Sequence, residues 1–270
     1  MSAKQQLGTA EASTALAPPL ATTRVEGRPV DIDYQATHQF FEARGNRHDL
    51  AHPYSVTMYQ DDRPELVTER DACEKSRLLE WLSFSPNNRV LDVGCGVGRW
   101  ADTAVPRGAA YLGIDFSEAI LQRARARVPE VPGRVAFQRL GAEQVGADVT
   151  WDVGPPFDRV LVSGVLIYLN DGDVRRCLDG IAAVADGKAR VYVREPVSQG
   201  ARLSLDGHYS PALRAEYSAI YRPLSHYREV FAATLQRAGF SLLADDWLFP
   251  ATLENRAETR QRFFILARDP

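Results

Sequence analysis

The sequence predicts an α/β fold, a doubly wound and mostly parallel sheet with helices on both faces, and three observations carry that expectation. Aliphatic runs of strand length recur along the chain. Amphipathic stretches with apolar residues three and four apart separate the earlier runs. A glycine-rich turn, VLDVGCGVGRW at residues 90–100, stands directly behind the first aliphatic run. Alternating strands and helices imply parallel strands joined by right-handed crossovers, which place helices on both faces of one sheet.

The elements follow in order. Residues 1–30 are rich in Ala, Thr, Ser, Gly and Pro without apolar periodicity, so they bury too little surface to offset ordering entropy and are expected to be a disordered arm. Residues 31–84 turn helical, with YQATHQFFEAR and ELVTERDACEKSRLLEWL repeating apolar residues at helical spacing. Behind the glycine turn, strands are predicted at 110–114 (AYLGI), 159–163 (RVLVS), 190–193 (RVYV) and 263–266 (FFIL). Helices are predicted at SEAILQRARARV and DGDVRRCLDGIAAVA. The stretch 196–227 breaks the alternation with many tyrosines and is expected to be a helical cap inserted over the site.

Composition bounds the function. With 32 basic and 35 acidic residues the formal charge is −3, which supplies no positive field for a phosphate backbone, so a nucleic-acid substrate is not expected and a small molecule is. Three widely spaced cysteines, Cys73, Cys95 and Cys177, make neither a disulfide framework nor a zinc knuckle and suit a reducing cytoplasm. No apolar stretch approaches membrane-spanning length, so no membrane association is expected. His48 and His52 have metal-ligand spacing but no third ligand in view, and no metal is assigned. Cys95 is read as a packing residue.

The glycine turn admits a ligand against bare backbone at a helix N-terminus. A dinucleotide fingerprint would place its third glycine at position 99, which is Arg99; the glycines are Gly94, Gly96 and Gly98. Asp92 beside a pyrophosphate would be repulsive, whereas beside an ammonium or sulfonium it attracts. Asp115, about 20 residues beyond the first glycine, is placed to accept ribose hydroxyls. A nucleoside with a cationic tail satisfies both acids.

With VLDVGCGVGRW and YLGIDFS at this separation, residues 85–270 resemble the class I S-adenosylmethionine-dependent methyltransferases. The resemblance implies a Rossmann-like sheet of seven strands, an N-terminal helical lid over 31–84, and S-adenosyl-L-methionine as cofactor. Gly94, Gly96, Gly98 and Ser163 would then line its methionine and ribose, with Asp92 near the amino group and Asp115 on the ribose. Phe116 would pack on the adenine. FQRLGAEQV carries Gly141 where the family has an acid, which passes the adenine contact to Ala142 or Glu143. In FDRVLVSGVLIYLND, Tyr168 would face the acceptor, and Tyr59 would belong to the lid. The Asp/Asn-Pro-Pro-Tyr/Phe tetrapeptide of base-modifying members is absent.

Methyl transfer from a sulfonium needs alignment and exclusion of water more than proton chemistry. His208 and His226 are the candidate general bases, and Arg194 at a strand end is placed to hold an acceptor carboxylate or phosphate. Tyr217 and Tyr221 either line the acceptor pocket or are the amphipathic face of the cap. The expected activity is methylation of an amine or hydroxyl on a small molecule, such as a secondary-metabolite intermediate. Carbon methylation of an activated acid is the alternative; a nicotinamide-dependent reductase and a non-catalytic adenosylmethionine-binding protein stand further off.

Overall fold

The computed structural model describes residues 23–268. A short strand, β1 (Arg24–Glu26), and three helices, α1 (Tyr34–Gly45), α2 (Ser55–Met58) and α3 (Pro64–Leu82), precede the glycine turn. Then come β2 (Arg89–Val93), α4 (Ala101–Ala104), β3 (Ala110–Asp115), α5 (Glu118–Arg127), β4 (Val135–Arg139), β5 (Phe157–Ser163), α6 (Asp171–Val184) and β6 (Ala185–Ser198). The last elements are β7 (Leu203–Ser210), β8 (Ala215–Tyr221), α7 (Leu224–Phe231), β9 (Ser241–Trp247) and β10 (Thr259–Ala267). Seven strands form one sheet in the order β4-β3-β2-β5-β6-β10-β9. Strands β2 to β6 are parallel and β10 runs against both its neighbours.

The central strands are aliphatic because helices cover both faces. On one face Val174, Cys177, Leu178, Ile181 and Val184 of α6 pack with Phe231 of α7 against Leu91, Val93 and Phe264. On the other, Leu78 and Leu82 of α3 and Leu121 of α5 pack with Trp100, Tyr111 and Tyr192. A third cluster lies above the strand ends. It joins Phe40 and Phe41 of α1, Val56 of α2 and Ile120 of α5 to Leu203, Leu205, Tyr217 and Tyr221. The first two clusters hold the sheet; the third builds a roof.

Local chemistry sets the helix starts. Asp33 accepts the Gln35 N–H at 2.7 Å ahead of α1, and Ser117 accepts the Ile120 N–H at 3.3 Å ahead of α5. Glu42 of α1 then reaches across to the exposed N–H groups of Glu118 and Ala119 at 2.8 and 3.3 Å, so one carboxylate satisfies two free donors of α5 and fixes α1 over the sheet.

The structure corrects three expectations. The cap is not helical: β7 and β8 pair antiparallel, and β1 adds to β7 to make a three-stranded sheet. Tyr217 and Tyr221 are four apart, a spacing that shares a face in a helix and in a strand alike, so tyrosine spacing cannot distinguish the two. The expected arm of residues 1–30 lies outside the described residues up to 22, while Arg24–Glu26 is a strand paired with Leu203–Leu205. His48 and His52 lie in the irregular segment between α1 and α2 rather than on a helix. No helix among the described residues is long and apolar enough to cross a membrane, and no group of three or more His, Cys, Asp or Glu among them could hold a metal ion.

Candidate functional site

A cavity of about 340 Å³ opens at the carboxyl ends of β2, β3, β5 and β6, where the strand order changes direction, the place open α/β sheets bind ligands. Its floor is the glycine turn. Gly94 has φ 65° and a Cβ there would run into Val165; Gly96 has φ 56° and a Cβ would meet Thr57 Cγ2 at 2.9 Å. Both the left-handed backbone and the close approach require glycine. Gly98, also left-handed, packs beneath the turn against Ala124 and Phe137.

Two buried acids flank the turn. Asp92 accepts the Tyr111 hydroxyl at 2.5 Å, and burial pushes its carboxyl up to about 7. Asp115 accepts the Gly96 N–H at 3.1 Å and the Ser117 N–H at 3.0 Å, and burial lifts it to about 6 despite those bonds. Ser117 supplies the cap of α5, and Asp115 ties the glycine turn to the start of α5 while facing the cavity. Phe116, Ala142 and Glu143 continue the wall, with the His38 and Phe41 rings each 5.5 Å from Phe116.

Behind the turn lies an ion network. Glu74 of α3 is fully buried. It pairs with Arg99 at 2.8 Å and Arg194 at 3.5 Å, and accepts the Tyr192 hydroxyl at 2.7 Å. Burial favours its neutral form, but the charges of Arg99 and Arg194 outweigh that and hold it at about 2. Ser163, at the end of β5, accepts from Arg99 at 3.3 Å.

Above the floor the cavity changes character. The Tyr59 and Tyr168 hydroxyls are hydrogen-bonded to each other, with Phe41 edge-on to Tyr168 at 5.0 Å. Tyr221 lines the cavity and Tyr217 stands behind it, hydroxyls 3.3 Å apart. Arg256, from the loop ahead of β10, donates to both at 3.1 and 3.4 Å. Burial pushes Tyr59 up to about 12 and Tyr168 well above its usual range, so these phenols stay protonated at neutral pH. The Arg44 guanidinium stacks 5.0 Å from the Tyr59 ring and donates to Val56 O and Asp61. Asn255 bridges the walls, donating to Gln60 at 2.7 Å and accepting from Arg70 at 2.9 Å.

Two candidate bases lie elsewhere. His208 on β7 does not line the cavity, its Nδ1 standing 3.0 Å from Thr23 Oγ1. His226 on α7 stands 3.8 Å from Asp171, where burial and then Arg222 lower its pKa. The antiparallel pairing sets His208 opposite Tyr217, yet its ring engages Thr23 and not the cavity, and His226 lies on α7 outside the cap sheet. The structure instead brings in Glu74, Arg70, His38 and Arg256, none singled out by sequence, and Arg99, which the sequence marks only as standing in place of a glycine. For Arg70 and Glu74 a signal exists: they interrupt the buried stripe Leu66, Arg70, Glu74, Leu78, Leu82, and charges inside an apolar helix face need buried partners. Arg256 sits in an irregular loop and has no such signal.

Residues 90–186 match a family described as a methyltransferase domain. The chain is 37% identical over 94 residues to a ubiquinone biosynthesis O-methyltransferase of Alkalilimnicola ehrlichii, covering 35% of this chain and 36% of that protein. It is 36% identical over 89 residues to a 23S rRNA (uracil(1939)-C(5))-methyltransferase of Ralstonia nicotianae, covering 32% and 20%. The matches thus span about a third or less of these relatives. The fold resembles the 1,6-didemethyltoxoflavin-N1-methyltransferase of Burkholderia thailandensis, with TM-score 0.58 and 18% identity over 94% of this chain and 99% of that one.

Proposed function

We propose that this chain, which carries a methyltransferase domain of the class I fold over residues 90–186, transfers a methyl group from S-adenosylmethionine to an amine or hydroxyl of a small molecule. The observation that carries the reading is the floor of the cavity: a left-handed glycine turn whose Gly94 lines the cavity together with the buried acids Asp92 and Asp115. Such a cradle fits a nucleoside lying on bare backbone with its cationic end toward a carboxylate. Asp115 takes the ribose, Asp92 the positively charged end, and Phe116 with Ala142 and Glu143 the base.

Bound there, the sulfonium supplies an electrophilic methyl with a neutral thioether as leaving group. The chain's own residues orient and exclude water. Tyr59 and Tyr168 roof the methyl end, and their raised pKa values make them hydrogen-bond donors to the acceptor rather than bases. An amine acceptor arrives neutral, its nitrogen bonds the methyl carbon as the carbon–sulfur bond breaks, and its proton leaves to solvent at the cavity mouth. The formal charge of −3 supports a small acceptor over RNA, and a 340 Å³ cavity suits one. Three free thiols, Cys73, Cys95 and Cys177, accord with a cytoplasmic setting.

Calorimetry with adenosylmethionine and with NAD tests the ligand, and labelled-methyl incorporation into amines, phenols and RNA tests the acceptor class. Binding of adenosylmethionine alone and label in a small molecule are expected. Tight NAD binding, or label predominantly in RNA, would overturn the reading.

A further inference from the structure

The roofed end of the cavity carries more positive charge than its own acids balance. Arg70, buried on α3, spends its donors on Leu253 O at 2.5 and 2.8 Å and on Asn255. Arg256 meets only the Tyr217 and Tyr221 hydroxyls. Among the described residues neither guanidinium is ion-paired with a carboxylate. Arg194 has a buried Nε without a partner, and its one carboxylate is Glu74 at 3.5 Å, which Arg99 already holds at 2.8 Å. The acid at this end, Glu254, accepts the Gln261 N–H at 3.0 Å and is drawn toward its neutral form by burial. Burial pushes Arg70 down to about 10 against the opposing charge of Glu254, with the charges of Arg194 and Arg256 adding to the fall. All four of these side chains line the one cavity.

Buried guanidiniums without matching carboxylates, here Arg70 and the largely buried Arg194, are costly unless an anion completes them, and the more exposed Arg256 stands at the same end of the cavity. The planar fork of arginine is matched to carboxylate and phosphate oxygens, and the protonated phenols of Tyr59, Tyr168 and Tyr221 add donors on the same side. We propose that the acceptor is anionic, and that Arg194 and Arg256 hold its carboxylate or phosphate group at the roofed end, with Arg70 contributing its field. The proposal rests on the reading that an acceptor enters above the glycine turn. It makes the arginines the determinants of acceptor choice and leaves the floor to the nucleoside.

The test uses the full chain loaded with adenosylhomocysteine and titrated with benzoate, phenyl phosphate, benzamide and benzylamine, probes of similar size and different charge. Benzoate or phenyl phosphate is expected to bind at least about tenfold more tightly than the neutral and cationic probes, and the tighter of the two names the oxyanion. In Arg256→Gln, whose side chain touches only phenols, that preference is expected to shrink to about twofold while adenosylhomocysteine affinity and the unfolding midpoint hold. Arg194→Gln is expected to weaken the anions similarly. Equal binding of benzamide, preference for benzylamine, or an anion preference unchanged in both variants would overturn the proposal. Should adenosylhomocysteine fail to bind the wild-type chain, the cofactor reading falls, and the same four probes on the unloaded chain still decide whether an anion site exists.

Discussion

The floor and the roof of the cavity are built by opposite means. The floor comes from residues 92–117, one strand, one glycine turn and the next strand's end, with the Gly96 and Ser117 N–H groups meeting Asp115 and the Tyr111 hydroxyl meeting Asp92. The roof is gathered from distant segments: Tyr59 from the end of α2, Tyr168 after β5, Tyr217 and Tyr221 from β8, and Arg256 from the loop before β10. Floor residues rest on the buried sheet, whereas roof residues hold each other through side chains, and Tyr59 and Gln60 do so in left-handed backbone at φ 60° and 59°. Non-glycine residues in that region carry strain that surrounding contacts must hold in place. The floor is thereby fixed by the fold, and the roof by contacts a ligand can reinforce or replace.

Changes at the join of the two regions should be the most disruptive. Glu74→Ala leaves Arg99 and Arg194 without their shared buried carboxylate, and loss of about 3–5 kcal/mol of stability is expected by denaturant unfolding. A loss below about 1 kcal/mol would mean the network does not bind floor to roof. On the floor alone, Asp115→Ala is expected to weaken adenosylmethionine by at least about tenfold, since it removes a charged acceptor and frees the Gly96 N–H from its anchor. Acceptor-probe binding should barely change. Wild-type adenosylmethionine affinity in a folded variant would remove the nucleoside role of Asp115.

The pH dependence separates the ends as well. Asp92 and Asp115, raised to about 7 and about 6 by burial, hold protons in the folded state that the unfolded chain releases near pH 4. These groups therefore make the unliganded protein lose stability as pH rises from about 4 to 7. A cationic ligand favours the ionised carboxylates, so adenosylmethionine should bind about tenfold more tightly at pH 8 than at pH 6, with Asp92→Asn flattening the trend. Benzoate at the arginine end should show no such rise; calorimetry at both pH values decides. Smaller effects belong to the roof. Tyr168→Phe removes the hydroxyl shared with Tyr59 and should weaken acceptor probes by about twofold to tenfold with cofactor affinity unchanged. Equal loss of both would show that the phenol pair serves the floor. Smallest of all, extending an N-terminal deletion from residue 22 to residue 30 strips β1 from β7 and should lower the unfolding midpoint by a few degrees at most, without touching cofactor affinity.

The glycine turn and the strand-helix alternation are legible because each is local: aliphatic runs mark parallel strands, and a turn with three glycines two apart announces backbone that must bend left, while Asp92, Asp115 and Arg194 are found lining the cavity. Glu74 and Arg70 were readable in principle, as charges inside an apolar helix stripe, but their partners were not. The cap is not legible because a four-residue spacing of tyrosines fits helix and strand equally, and neither His208 nor His226 lines the cavity. Arg256 left no local mark at all.

What the sequence determined by itself, then, was the sheet and the floor, where a residue's role follows from neighbours a few positions away. Only the tertiary structure decided the roof: which face of the cap turned inward, that Glu74 would gather Arg99 and Arg194, and that Arg256 would reach Tyr221 across 35 positions of chain. Contacts between segments so far apart depend on how helices and strands pack over the sheet, and side-chain periodicity within any one segment carries no information about that packing.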